Sequence, residues 1–203
     1  MKPIPFTDDI SAYLKEDDII DYRNVIIAQL AEELYKKTDS ETAYIKAAYE
    51  YVRDNVSHSA DINEDVITCT ASEVLKAGHG ICFAKSHLLA ALLRFKGIPA
   101  GLCYQKISFC IEALTILVYH GLNGVYLNEY KKWIRLDPRG NTGEINAQFS
   151  LDKEQLAYNI HEETGEEDGF VIYPDPDVKV LEKLRNNRTR TELWGDLPVE
   201  LNY

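Results

Sequence analysis

The sequence predicts an α+β fold in which N-terminal helices and one buried helix pack on an antiparallel β-sheet. Three observations predict it. Apolar residues recur at helical spacing through the first half of the chain. The run Cys82 to Phe95 carries apolar residues around much of its circumference, the mark of a buried helix. From Ile98 to Leu136 the pattern changes to short β-branched and aromatic runs broken by turn residues. Helices first and consecutive strands afterwards point to α+β rather than to alternating strands and helices.

The elements follow in order. Asp21 to Lys37 places Val25, Ile26, Leu30 and Leu34 on one face, which predicts a helix. Thr38-Asp39-Ser40 interrupts it, and Asp39 or Ser40 can cap the next helix, Glu41 to Asn55. Val56 to Asp65 reads as polar and irregular. Thr70 to Lys76 predicts a short helix stopped by Gly78 and Gly80. The buried helix runs from Cys82 to Phe95 and ends at Gly97. Strands are expected at Ile98 to Ile107, Ala113 to Leu122, Val125 to Tyr130 and Trp133 to Leu136. Asn123-Gly124 predicts a hairpin turn between the second and third, and another turn falls near Tyr130-Lys131-Lys132. Farther on, Asp152 to His161 and Val178 to Asn186 are expected to be helical. The acidic run Glu162 to Asp168 is expected to be a solvated loop, as is Pro174 to Asp177.

A chain of 203 residues, 45% hydrophobic and 27% charged, can bury one core. No composition break divides it, so the expectation is one domain over 1–203, with a core near 41–141 and a C-terminal extension over 142–203. The formal net charge of −11 disfavours nucleic acid and anionic membrane surfaces as partners. The N-terminus lacks the apolar stretch of a signal peptide, and no run approaches ~18 apolar residues, so a cytoplasmic location is expected. The four cysteines, Cys69, Cys82, Cys103 and Cys110, form no CxxC pair, and no structural zinc site is expected. Cys69, Cys103 and Cys110 are read as small buried hydrophobes.

Cys82 differs in its setting. It follows Gly78-His79-Gly80-Ile81 and opens the most hydrophobic helix, where the helix dipole and unpaired backbone N–H groups favour a thiolate. The same pattern also fits a buried cysteine after an incidental glycine-rich turn. A nucleophilic thiol needs a base, and the base needs an orienting group. His120 follows the strand-like Leu114 to Tyr119, and Asp137 follows Trp133 to Leu136. Antiparallel pairing would bring these strands side by side, about 4.8 Å apart, which suits a histidine–carboxylate hydrogen bond. His87 lies about 140° around the helix from Cys82 at about 100° per residue, and is read as structural. His79 is read as a loop residue near the site. His58 and His161 lie in polar segments with no assigned role.

These stretches resemble the transglutaminase-like superfamily, whose fold is related to papain-type cysteine proteases. The resemblance is carried by Gly80-Ile81-Cys82, by Leu88 to Ala100 ending in Gly97-Ile98-Pro99-Ala100, by His120 with Val125-Tyr126, and by Trp133-Ile134-Arg135-Leu136-Asp137-Pro138. Tyr51 to Val56 resembles the helix that precedes the family's nucleophile. The resemblance covers roughly Tyr44 to Asn141. It implies Cys82 as nucleophile, His120 as base and Asp137 as the group that orients the base. The chain departs from the pattern at Gly101, Leu122 and Gly124, where the family often has an arginine, an aromatic and an acidic residue.

The expected activity is a thiol-dependent amide-bond hydrolase, a cysteine protease or amidase, working through an acyl-thioester on a peptide or other amide-containing substrate. No cofactor or metal is implied. The alternatives are acyl transfer from protein glutamine, as in a transglutaminase, and a binding module that keeps the fold without activity. A fourth reading, zinc held by Cys82, Cys103, Cys110 and His120, predicts stoichiometric metal.

Overall fold

The structure, a computed structural model, describes residues 2–111 and 114–202. Its helices are α1 (Val25–Tyr35), α2 (Glu41–Asn55), α3 (Ala71–Ala77), α4 (Cys82–Phe95), α5 (Val178–Asn186) and α6 (Arg190–Trp194). Its strands are β1 (Ile4–Pro5), β2 (Ser57–His58), β3 (His79–Gly80), β4 (Ala100–Ile111), β5 (Leu114–Leu127), β6 (Lys132–Leu136), β7 (Glu167–Asp168) and β8 (Val171–Ile172). The main sheet is antiparallel in the order β6-β5-β4-β7, and two short parallel pairs, β1 with β8 and β2 with β3, form separate two-stranded sheets. The α+β class is as expected.

The helix starts obey local chemistry. Asn24 caps α1, Ser40 caps α2 through Ala43 N, and Thr70 with Glu73 forms a reciprocal capping box on α3. α4 is the centre of the molecule. Its residues from Phe83 to Arg94 are all buried, and Leu88, Leu89, Leu92 and Leu93 are completely enclosed. Burial of each such leucine contributes about 1.5–3 kcal/mol. Two cations on this helix are buried and each meets backbone carbonyls. Lys85 Nζ donates to Val56 O, and the Arg94 guanidinium donates to Ala100 O (2.9 Å), Lys15 O (2.8 Å) and Pro174 O.

The sheet differs from expectation at Asn123-Gly124, which is no turn. Both residues lie inside β5, with Asn123 opposite Leu102 and Gly124 opposite Gly101. The two strands expected on either side are one strand of 14 residues. Ala113, where the first of them was expected to begin, lies outside the described residues. The reason is tertiary. Asn123 Nδ2 donates to Ser86 O of α4 (2.9 Å) and to Gly101 O (3.3 Å), so its side chain serves the helix–sheet contact. A Cβ at Gly124 would stand 2.6 Å from Ile172 of β8, and one at Gly101 would stand 2.5 Å from Tyr173 O. The facing glycines therefore seat the C-terminal segment against the sheet, where Ile172 packs with Ala12, Tyr13, Cys103 and Leu122. The turn near Tyr130-Lys131-Lys132 forms as expected.

Three further expectations are corrected. Asp152 to His161 is not a helix; Gln155 bridges to Gln148, and the segment runs without regular structure over the site. The acidic run Glu162 to Asp168 is not simply solvated. It holds a 3-10 turn and β7, Glu166 accepts from Ser108 N (2.9 Å), and Asp168 pairs with Arg135 (2.6 Å). Cys69 and Cys103 are buried, whereas Cys110 is exposed near the end of the β4–β5 hairpin.

Gly121 admits a close helix–sheet contact. A Cβ there would lie 2.5 Å from Phe83 Cδ1 and 3.1 Å from Phe83 Cα in the first turn of α4. Gly121→Ala should therefore displace that turn and cost about 1–3 kcal/mol, as overpacking does. Chemical denaturation should show a lowered midpoint at unchanged slope; an unaltered midpoint would contradict so close an approach.

Candidate active site

The site forms where the start of α4 meets β5 and the residue after β6. Cys82 is the first residue of α4, and Ile81 before it offers no side-chain cap. The first backbone N–H groups of the helix have no intrahelical partner and point toward the thiol's surroundings. Phe83 rests on Gly121, so Cys82 and His120, the preceding residue in each strand of chain, are held together. β5 and β6 are paired neighbours separated by one turn, not the two turns expected. Asp137 follows β6 directly, and its Oδ2 lies 2.8 Å from His120 Nε2. The remaining ring nitrogen, Nδ1, is left for Cys82. All three residues named from sequence thus occupy one site.

The carboxylate of Asp137 is completely buried, yet it accepts from three N–H groups: His120 Nε2, Arg139 N (3.1 Å) and Ala157 N (3.0 Å). Burial works against its charge, but His120 and these hydrogen bonds hold it below the ordinary carboxylate range. Burial likewise opposes charge on His120, and is outweighed by Asp137 and then by Cys82, so the imidazole stays charged well above its ordinary range. Tyr158 stands edge-on to the His120 ring, with centroids 4.8 Å apart.

The site opens into a cavity of about 130 Å³, whose lining includes His58, Cys82, Tyr119, His120, Arg139 and Tyr158. His58 was given no role from sequence and is part of this site. Strand β2 pairs with β3 so that His58 lies level with Gly80, two residues before Cys82. Burial, then the charges of Arg139 and Lys85, push its imidazole well below the ordinary value and keep it neutral. Its Nδ1 accepts a long hydrogen bond from Ala60 N (3.4 Å), which leaves the ring proton on Nε2. A two-residue strand in a polar stretch carries no periodicity, so the sequence held no signal for this placement. Arg139 is fixed by a two-pronged pair with Asp61 (2.6 and 2.8 Å). Tyr158 comes from the segment expected to be helical.

The other histidines are occupied elsewhere. His79 is in β3, buried, with Nδ1 3.0 Å from Ser59 Oγ. His87 is enclosed, and its Nδ1 bonds Cys69 O (2.8 Å). Among the described residues no group of three or more His, Cys, Asp or Glu side chains could hold a metal ion. Cys103 packs with Leu122 and Ile172, and Cys110 is exposed. Among the described residues no helix is long and apolar enough to cross a membrane.

The His120–Asp137 pair has a defined pH signature. Asp137 is shifted down, so its contribution to stability is complete above about pH 3.8 and is lost as pH falls through its lowered value. His120 is shifted up, so its contribution is complete below about pH 6.5 and is lost as pH rises through its raised value. The destabilisation caused by Asp137→Asn should therefore be greatest between those limits and shrink on both sides. Melting temperatures of the two proteins across pH measure it, and a difference independent of pH would contradict a charged pair.

The family model described as the transglutaminase-like superfamily matches residues 28–138. A crystal structure of a candidate cysteine protease from Cytophaga hutchinsonii superposes with a TM-score of 0.52 at 19% identity, over 66% of this chain and 43% of that one. The periplasmic domain of TgpA from Pseudomonas aeruginosa superposes with a TM-score of 0.44 at 17% identity, over 62% of this chain and 45% of that one. The chain thus spans less than half the length of these solved structures. No curated protein sequence matches it. With the family match extending over more than half of its length and an α+β fold of the same kind, the chain belongs to the transglutaminase-like superfamily.

Proposed function

We propose that the protein is a thiol-dependent amide hydrolase in which Cys82 is the nucleophile, His120 the base and acid, and Asp137 the group that orients the imidazole. The observation that carries this reading is the buried His120–Asp137 hydrogen bond of 2.8 Å beside a cysteine at an uncapped helix start. Cys82 Sγ, as thiolate, attacks the amide carbonyl carbon. The carbonyl oxygen takes the negative charge and is held by the backbone N–H of Cys82 and by Nε2–H of neutral His58. The C–N bond breaks, the His120 proton goes to the departing amine, and an acyl-thioester remains on Cys82. Water then attacks that carbonyl, His120 takes its proton, the C–S bond breaks, and the carboxylic acid leaves. Asp137 keeps the imidazole in one orientation and offsets its charge in both steps.

Labelling by iodoacetamide separates the roles. Cys82 should react fast at about pH 6.5, well below the value of about 8.5 for an ordinary thiol. Cys82→Ala should abolish that labelling and His120→Ala should slow it. Alkylation develops no oxyanion, so His58→Ala should label nearly as fast as the unaltered protein. On a chromogenic acyl amide the same His58→Ala change should lower kcat by about 100-fold, the cost of one oxyanion donor. Labelling that rises only near about pH 8.5, with no effect of His120→Ala, would overturn the scheme. Formation of an amine adduct in place of the free acid would reassign the second step to acyl transfer.

A further inference from the structure

The cavity at Cys82 has a second, apolar wall. Ile107 and Val118 face each other across β4 and β5, and Phe109 follows two residues on along β4. The wall is completed by Trp194 and Leu197, which lie beyond residues 28–138 matched by the family model. Trp194 packs edge-on against Phe109, with centroids 5.9 Å apart at 81°. The Arg190 guanidinium lies 5.2 Å from the centroid of the Trp194 ring.

The segment carrying Trp194 and Leu197 is tied to both sides of the cleft. On one side Arg190 N donates to Asp65 O (2.8 Å), Thr191 N and Oγ1 both reach Asp65 Oδ1, and Thr189 bridges Val66. On the other, Tyr119 N, next to His120, donates to Pro198 O (2.9 Å). Behind it, Asn187 Nδ2 and Lys183 Nζ hold Asp196. Residues 189–198 thus form a strap fixed at both ends, with Leu193 in the core and Trp194 and Leu197 in the cavity that reaches Cys82.

The geometry points to this wall as the pocket for a ring-sized or branched apolar side chain on the acyl side of the scissile amide. The inference rests on Cys82 being the nucleophile, and adds the class of substrate it accepts. Size is of the right order: an apolar protein cavity of about 150 Å³ takes up benzene, and the whole cavity, of which this wall is one side, measures about 130 Å³. Charge supports it too. The one guanidinium in the lining, Arg139, is already paired with Asp61 and offers little to an acidic side chain. A phenylalanyl or leucyl acyl group matches the apolar side chains of Ile107, Phe109, Val118 and Leu197 on this wall better than the amide of a glutamine side chain does.

The test compares Cys82 alkylation by N-acylphenylalanyl and N-acylglycyl chloromethyl ketones. In each case a C–S bond forms and chloride leaves. Each rate is normalised to that with glutathione, and iodoacetamide serves as a reagent that needs no pocket. The phenylalanyl reagent should be favoured by on the order of 100-fold, as a fitted hydrophobic pocket allows. Leu197→Phe, which fills the cavity, and Trp194→Ala, which removes its wall, should each bring the preference to within ~10-fold. Fast iodoacetamide labelling with equal reaction of the two ketones would overturn the pocket and leave the nucleophile intact. So would a preference that survives Leu197→Phe. Slow iodoacetamide labelling of the unaltered protein would instead remove the nucleophile on which the inference rests.

Discussion

The first turn of α4 can lie against β5 only because residue 121 has no side chain. Phe83 occupies the space a Cβ would fill, and the neighbours Cys82 and His120 are brought together as a result. Two more contacts hold the helix at that height. Asn123, two residues along β5, donates to Ser86 O. Lys85 donates to Val56 O, just ahead of β2, and so fixes the strand that carries His58. β2 in turn pairs with β3 and sets His58 level with Gly80, two residues before the helix start. The seating of one helix thus positions the thiol, the imidazole beside it and the second histidine of the cavity. Lys85 is enclosed, and burial followed by the charge of Arg139 brings its ammonium down to about 7. Its bond to a backbone carbonyl is what makes a cation tolerable there.

What could be read from the sequence was whatever a local rule determines. Ser40, Thr70 and Glu73 cap helices because side-chain oxygens at those places satisfy free N–H groups, and such signals are visible in any window of four residues. Cys82 and Asp137 were legible for a related reason, since each stands at the boundary of an element whose neighbours have a clear pattern, whereas His120 lies inside β5 and was legible through the family resemblance. Asn123-Gly124 misled because the dipeptide that favours a turn can be retained for other reasons. Here the amide reaches two carbonyls and the glycine admits Ile172, contacts made with residues far along the chain. His58 and Tyr158 were illegible because neither the two-residue pairing of β2 with β3 nor the irregular path of 152–161 leaves a period in the sequence.

The differences from the family pattern at Gly101 and Gly124 acquire a physical meaning in the same way. An arginine and an acidic residue there would project where Ile172 and Tyr173 now lie. The glycines exchange a polar surface for a seat on which the later part of the chain docks. That later part reaches the site repeatedly: Ala157 N bonds Asp137, Tyr158 packs on His120, and Trp194 and Leu197 line the cavity. The cleft is therefore built on the stretch that resembles the family and is completed by residues that lie beyond it.

Two histidines share one cavity, and their surroundings drive them apart. His120 faces a carboxylate and a thiol and is held charged above its ordinary range. His58 is buried near Arg139, Lys85 and His120 itself, all of them sources of positive charge, and is held neutral. Opposite shifts of this kind are how a site divides acid–base work from neutral hydrogen-bond donation. A charged ring at position 58 would compete with His120 for the thiolate. A neutral ring there can donate Nε2–H to a developing oxyanion without doing so. Sharing one cavity is thus a reason for the different charges, since an imidazolium at position 120 raises the cost of a second at position 58.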